Sequence, residues 1–268
     1  MVEQALERIK HRRSVRSFSD EPLRGETLSA LRESLAAARS PYGIPVEFRI
    51  LDAAEHGLAS PVLVGANTYA AGKLRLVPHA EEAFGFAFER FVLDADAMGV
   101  GTVWIGGTMK RELFEKAAGL KDGRMMPCVS PLGYPAKKSL KEVMMRKGVG
   151  ADSRIPADRL FFDGAWDRPL IPAADVCDAL EAVRLAPSAV NKQPWRIIFK
   201  DGAYHFYEKK DRGYDRENTG DLQKIDVGIA LCHFMMSLED AGRTCEVCVS
   251  DPGIAIPADV EYIASVKF

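Results

Sequence analysis

Phe84-Gly85-Phe86-Ala87 opens a helical run that reaches Ala97-Met98-Gly99, and Val227-Gly228-Ile229-Ala230 opens a second that reaches Asp240-Ala241-Gly242. Gly85 and Gly99 in one run, and Gly228 and Gly242 in the other, stand fourteen positions apart. Phe84, Ala87, Phe91, Ala95 and Met98 fall on one helical face, as do Ile225, Ile229, Cys232, Met236 and Leu238. The two runs therefore read as paired core helices, and their likeness points to an internal repeat.

Outward from these helices the repeat continues. Glu21-Pro22-Leu23, a helical stretch to Ala38 and an apolar strand from Phe48 to Leu51 are echoed by Arg168-Pro169-Leu170, a helical stretch to Leu185 and a strand from Trp195 to Phe199. After each long helix comes a short β-type run, Thr102 to Ile105 in the first half and Cys245 to Val249 in the second. Asp201-Gly202, between Arg196 to Phe199 and Tyr204 to Tyr207, predicts a β-hairpin turn. The polar stretch 147–158, with Gly148, Gly150 and Pro156, reads as a connector. The expected organisation is two related α+β halves, residues 1–146 and 159–268, packed about a pseudo-twofold axis with a ligand cleft at the seam.

The chain has 268 residues, 47% hydrophobic and 28% charged, with a formal net charge of -2. That length favours two domains or two intimately packed half-domains. Near-neutral charge argues against nucleic acid or an anionic membrane as partner, since both demand a dense basic surface. The charged start, Met1 to Lys10, has no apolar signal core, and no eighteen-residue apolar run occurs, so a cytoplasmic location is expected. The five cysteines, Cys128, Cys177, Cys232, Cys245 and Cys248, do not form a disulfide framework. Cys245 and Cys248 make a C-x-x-C without a second ligand pair, and the five histidines show no ligand spacing, so no metal site is expected.

Two polar stretches stand out. His11-Arg12-Arg13-Ser14-Val15-Arg16 follows a short helix with apolar positions Val2, Ala5, Leu6 and Ile9. Three guanidiniums and a hydroxyl in five residues suit an anion, because arginine offers parallel donors to phosphate. Read alone, the run fits a solvated basic helix end better, since charge runs usually face water. Ala186-Pro187-Ser188-Ala189-Val190-Asn191-Lys192-Gln193-Pro194-Trp195 is turn-rich and polar between a core helix and a core strand. It reads either as a binding loop or as a structural loop anchored by Trp195.

Together, R-R-S-x-R, A-P-S-x-x-N-x-Q-P-W and the Gly99-to-Gly107 stretch G-x-G-T-x-W-I-G-G resemble the FMN-dependent nitroreductase family, in a fused two-half form of the Thermotoga type. In that family a homodimer places each FMN at the subunit interface. Here the arginine motif stands only in the first half and the A-P-S motif only in the second. The first half reads Arg39-Ser40-Pro41-Tyr42-Gly43-Ile44 where the loop would be, and the second has a single arginine around Arg159 to Asp163. The resemblance therefore implies one FMN per chain in an intramolecular pseudo-dimer, and a monomer is expected.

By resemblance, Arg12, Arg13 and Ser14 bind the phosphate and ribityl end, and Arg16 approaches the N1/O2 edge of the flavin. Pro187, Ser188, Ala189, Asn191 and, more weakly, Gln193 face it from the other half. Trp104, Ile105, Gly106 and Gly107 match the stretch whose backbone follows the ring edge, where glycine permits close approach. Lys138, with Lys137, matches loosely a basic tail that reaches the phosphate. The implied activity is hydride transfer from NADH or NADPH through FMN to a nitroaromatic, quinone or similar small acceptor, with no catalytic side chain required. Two other readings stay open: a flavin-binding or sensor protein without turnover, and a relative with other flavin chemistry such as dehalogenation or flavin fragmentation. Gly99-Val100-Gly101 is too short for a dinucleotide fingerprint and follows a helix, not a strand, so no Rossmann domain is expected.

Overall fold

A Cβ added at Gly85 would stand 2.1 Å from the carbonyl oxygen of Ile225, and one at Gly228 would stand 2.2 Å from that of Glu82. Both distances are far inside van der Waals contact, so the two long helices cross backbone against backbone at their glycines. The computed structural model describes residues 4–217 and 219–268. Val2, assigned above to the face of the first helix, lies outside them.

In chain order the elements are α1 (Ala5–His11), α2 (Gly25–Ala37), β1 (Glu47–Asp52), α3 (Ala53–His56), β2 (Thr68–Arg75), α4 (Ala80–Ala97), α5 (Arg111–Ala118), β3 (Arg124–Met125), β4 (Val129–Leu132) and α6 (Leu140–Gly148). Then follow β5 (Phe161–Asp163), α7 (Cys177–Leu185), β6 (Trp195–Lys200), β7 (Ala203–Lys209), β8 (Asp215–Arg216), β9 (Gly220–Asp221), α8 (Leu222–Asp240), β10 (Glu246–Cys248) and β11 (Val260–Lys267). In the first sheet β1 pairs with β2, whose other edge carries β3 and β4, all antiparallel. The second runs β10-β11-β7-β6-β5, antiparallel except for the β5/β6 pair. Helix α4 packs on β2, α8 on β6 and β7, and α4 and α8 on each other. The architecture is α+β, as expected, and among the described residues no helix is long and apolar enough to cross a membrane.

Enclosure on all sides changes one expectation. Nearly every position of α4 from Ala80 to Ala95 is buried, including Glu82 and Glu89, and α8 is buried from Ile225 to Leu238. Neither is one-faced, because each has a sheet on one flank and its partner helix on the other. Both also start earlier than their leading glycine suggests, at Ala80 and Leu222. The hairpin at Asp201-Gly202 is present, with Asp201 and Gly202 both at positive φ, and β10 occupies the Cys245 to Val249 run.

Thr102 to Ile105 is not a strand. Three isolated bridges tie this region instead, Gly101 to Gly133, Ser14 to Thr102 and Ile105 to Val129. The apolar pattern signalled burial, and tertiary pairing decided the rest. The stretch 147–158 likewise is more than a bare connector: Lys147 and Gly148 close α6, and Ala157–Arg159 form a 3-10 turn.

On β7, Glu208 is fully buried, and both its carboxyl oxygens lack a partner among the described residues. Burial first, and then Asp221, raise its pKa to about 8. Its proton is thus held in the folded chain and lost from the unfolded one between the ordinary glutamate range and pH 8, so stability falls as pH rises through that window.

Substitutions at the helix crossing and at Glu208 test these assignments. Gly85→Ala or Gly228→Ala should cost about 1–3 kcal/mol or more in urea unfolding through overpacking, whereas Gly25→Ala, where a Cβ meets nothing within 4 Å, should change little. Glu208→Gln should match the parent near pH 5 and melt a few degrees higher at pH 8, on the order expected for one or two kcal/mol. A parallel pH dependence of Tm in the two proteins would contradict the buried-acid assignment.

Candidate functional site

The arginine motif starts at the C-terminus of α1, where Arg12 is the capping residue, and continues as an extended strip laid between two other segments. Val15 donates its N–H to the Thr102 carbonyl (2.8 Å), Val64 donates to the Arg16 carbonyl (2.9 Å) and Phe18 to the Val64 carbonyl (2.9 Å). Extended backbone sends alternate side chains to opposite faces. Val15 turns inward against Gly101, where a Cβ would come within 2.9 Å of it, while Arg12, Ser14 and Arg16 line a cleft.

That cleft comprises two adjoining cavities of about 510 and 540 Å³. They share Ser14, Arg16, Trp104, Thr108, Pro187, Ser188 and Val190. Each falls in the size range of small-molecule and cofactor sites. Opposite the arginine strip, the loop after α7 holds three non-glycine residues in left-handed backbone, Val190 (φ 51), Asn191 (φ 58) and Gln193 (φ 52). Strain of this kind persists only where the surroundings over-determine it. Here they do: Gln193 N donates to Ser188 Oγ (2.8 Å), and Ala189 N donates to Asp226 (3.0 Å). Burial pushes the Asp226 carboxyl well above the usual carboxylate range.

The first cavity is strongly cationic. Arg12, Arg13, Arg16, Arg146 and Arg154 all line it. The Arg12 side chain is 7% exposed, and its Nε and Nη1 have no hydrogen-bond partner among the described residues. Its Nε stands 3.8 Å from Glu89 Oε1. Arg154 donates to the carbonyls of Ala151, Ser153 and Leu185, leaving Nε unpartnered. Burial, followed by Arg12 and Arg184, lowers the Arg154 pKa; burial also lowers that of Arg16, opposed by Glu142, with Arg146 and Arg12 adding repulsion. Arg146 pairs with Asp152, which lines the same cavity, but the arginines there outnumber the acids, an excess of positive charge that an anion would balance.

Beneath this cluster, Glu89 Oε2 accepts from Trp104 Nε1 (2.8 Å), and Glu89 Oε1 faces His233 Nε2 (3.0 Å). His233 Nδ1 lies 2.9 Å from the Ala182 carbonyl, so that nitrogen carries a proton. Glu89 thus links α4, α8 and the Trp104 wall at zero side-chain exposure. Arg111 holds the glycine strip from behind, donating to the carbonyls of Gly106 (2.6 Å), Met126 (2.5 Å) and Pro127 (3.0 Å). A Cβ at Gly107 would meet nothing within 4 Å, while at Gly106 Cys128 Sγ stands at 3.2 Å.

Of the residues singled out in the sequence, Arg12, Arg13, Ser14, Arg16, Trp104, Ile105, Gly106, Gly107, Pro187, Ser188, Ala189 and Asn191 line the cleft. Asn191 nevertheless spends its amide N–H groups on the carbonyls of Gly150 (2.7 Å) and Ser153 (3.1 Å). Gln193 does not line the cleft: it is 3% exposed, and its Oε1 accepts from Ile155 N (2.9 Å). Both side chains hold the 150–155 segment rather than open space. Lys138 also lies outside both linings and is exposed, as is Lys137.

Arg146 and Arg154 escaped the sequence reading. Arg146 rides on α6, whose start has a legible signal: Ser139 Oγ accepts from Glu142 N (3.2 Å), a Ser-x-x-Glu capping pattern. Ser17 Oγ then donates to Glu142 Oε2 (2.9 Å), fastening α6 beside the arginine strip. Trp104→Phe tests the buried network: removing the indole donor leaves Glu89 Oε2 unsatisfied and should cost about 1–3 kcal/mol in chemical unfolding.

With this geometry in place, the comparisons with known proteins converge. The profile of the family described as "Putative TM nitroreductase" matches residues 4–238. A Mycobacterium tuberculosis protein named "Putative NAD(P)H nitroreductase acg" is 32% identical over 91 residues, 34% of this chain. The match spans 26% of that relative's length. A crystal structure of a nitroreductase-type protein from Thermotoga maritima superposes with a TM-score of 0.64 at 18% identity, covering 99% of this chain and 94% of that one. At that identity the likeness is one of fold.

Proposed function

The chain belongs to this nitroreductase family, and from that premise we propose that it is an FMN-dependent oxidoreductase that passes hydride from NADH or NADPH to a small organic acceptor. The carrying observation is the buried Arg12 guanidinium, with Nε and Nη1 unpartnered, in a cavity whose opposite wall is the strained Pro187 to Asn191 loop. FMN carries both features such a cleft calls for, a phosphate and a planar ring. When bound, it supplies hydride acceptance from a reduced nicotinamide and delivery to the acceptor.

The protein's own contribution is binding and electrostatics. Arg12, Arg13, Arg146 and Arg154 would hold the phosphate, with Ser14 offering its hydroxyl beside them. Arg16 sets a fixed cation where negative charge grows on reduction, which stabilises the reduced state in a dry site. Glu89 keeps Arg12 and Trp104 in place without occupying the cavity. Arg111 presents the Gly106-Gly107 backbone, where no side chain blocks close approach. Asp226 anchors the facing loop through Ala189.

Purified protein should carry about one FMN per chain, since one arginine strip meets one loop; a ratio near two would contradict the reading of the halves. Arg12→Met should weaken FMN retention roughly 10- to 100-fold, the worth of a lost charge-assisted hydrogen bond. Anaerobic NADPH or NADH should bleach the visible absorption of the loaded protein, and failure of both would favour a flavin-binding protein without turnover.

A further inference from the structure

We propose that the second cavity selects a reactant carrying a negative charge, read by Arg212 and Arg216. This rests on the flavin reading above. Both arginines line the roughly 540 Å³ cavity together with Arg16. Neither side chain enters an ion pair or hydrogen bond among the described residues. The remaining lining is largely apolar or backbone: Val103, Gly106, Gly107, Pro187, Val190, Leu222, Ile225 and Ile229 contribute. The one acid there is Asp226, whose carboxyl burial pushes far up and which is engaged with Ala189 N. Three arginines, of which Arg212 and Arg216 are exposed, thus line a largely apolar, ring-sized space whose one acid among the described lining residues is already engaged.

The segment is held, not merely draped. Asp211 N donates to Gln223 Oε1 (2.6 Å) and Gln223 Nε2 to Asp211 Oδ2 (3.2 Å), with Gln223 itself 1% exposed. Leu222 N donates to the Tyr214 carbonyl (3.1 Å), and Lys192 Nζ sits 5.9 Å from the centre of the Tyr214 ring. These bonds fasten 211–214 to the start of α8. In the short strand β8 Arg216 lines the cavity, whereas its exposed neighbours Asp215 and Glu217 do not.

The chemistry recognised is an anionic group attached to an aromatic or heteroaromatic ring system. Two sources supply it: a carboxylate on the electron acceptor, or the 2′-phosphate that distinguishes NADPH from NADH. Guanidinium binds both through paired donors.

The test uses the FMN-loaded protein and the variants Arg212→Gln, Arg216→Gln and their double. Binding of 4-nitrobenzoate and of nitrobenzene to the oxidised protein is followed by perturbation of the flavin spectrum, without turnover. KM is then measured for both nitroarenes and for NADPH and NADH. The expected result is a loss of roughly tenfold per arginine for 4-nitrobenzoate or for NADPH, with less than a twofold change for the neutral counterpart. Discrimination in the nitroarene pair assigns the charge to the acceptor, and discrimination in the nucleotide pair assigns it to the reductant; either supports the proposal. Equal changes for charged and neutral partners in both pairs would overturn it. So would a drop in FMN affinity of the variants, which would place these arginines on the flavin. A parent protein that takes up no FMN instead refutes the flavin reading itself.

Discussion

Where α4 crosses α8, the carbonyl oxygen of one helix occupies the place a side chain of the other would need. Gly85 and Gly228 are the two positions that make the contact possible. Close backbone approach draws the two sheets toward one another across a thin helical layer, since α4 carries the first and α8 the second. Everything at the cleft inherits its spacing from that crossing. A larger residue at either glycine would push apart both walls of the site as well as loosen the core.

One consequence is the polar line buried within the helix pair. Glu89 from α4 meets His233 from α8, accepts from Trp104 and lies beside Arg12. Buried charge is costly unless paired, and here a single carboxylate serves three neighbours. The Arg12 guanidinium is steadied from below yet keeps Nε and Nη1 unbonded. The core and the cleft are therefore one electrostatic unit. Its balance is cationic on the open side, where Arg16, Arg146 and Arg154 crowd around the same space.

Much of the candidate site was legible in the chain. The two polar stretches drew attention because each placed donors and turn residues where apolar elements should have met, and both line the cleft. Other parts were hidden for physical reasons. Arg146 and Arg154 sit in segments whose composition resembles any solvated surface, and it is the bonds of Ser17 with Glu142 and Ser139 that hold α6, with Arg146, beside the cavity. Asn191 and Gln193 have the residue types of ligand donors, but the 150–155 segment claims their amide groups. Lys138 is exposed and lies outside both cavity linings, because nothing in a run of two lysines specifies a partner.

By itself the sequence determined the two long helices, the hairpin turn at Asp201-Gly202 and the strands that flank it, because glycine spacing, helical periodicity and turn chemistry are local and survive without neighbours. It also determined that the arginines of the first half and the A-P-S loop of the second occur once each. The tertiary structure alone decided which side chains share a space. It turned an apolar run at Thr102 into scattered bridges, converted two one-faced helices into nearly enclosed ones, and brought Arg212 and Arg216 to the lining of the second cavity. Burial and charge balance are properties of what surrounds a residue, and those surroundings come from segments far apart in the chain.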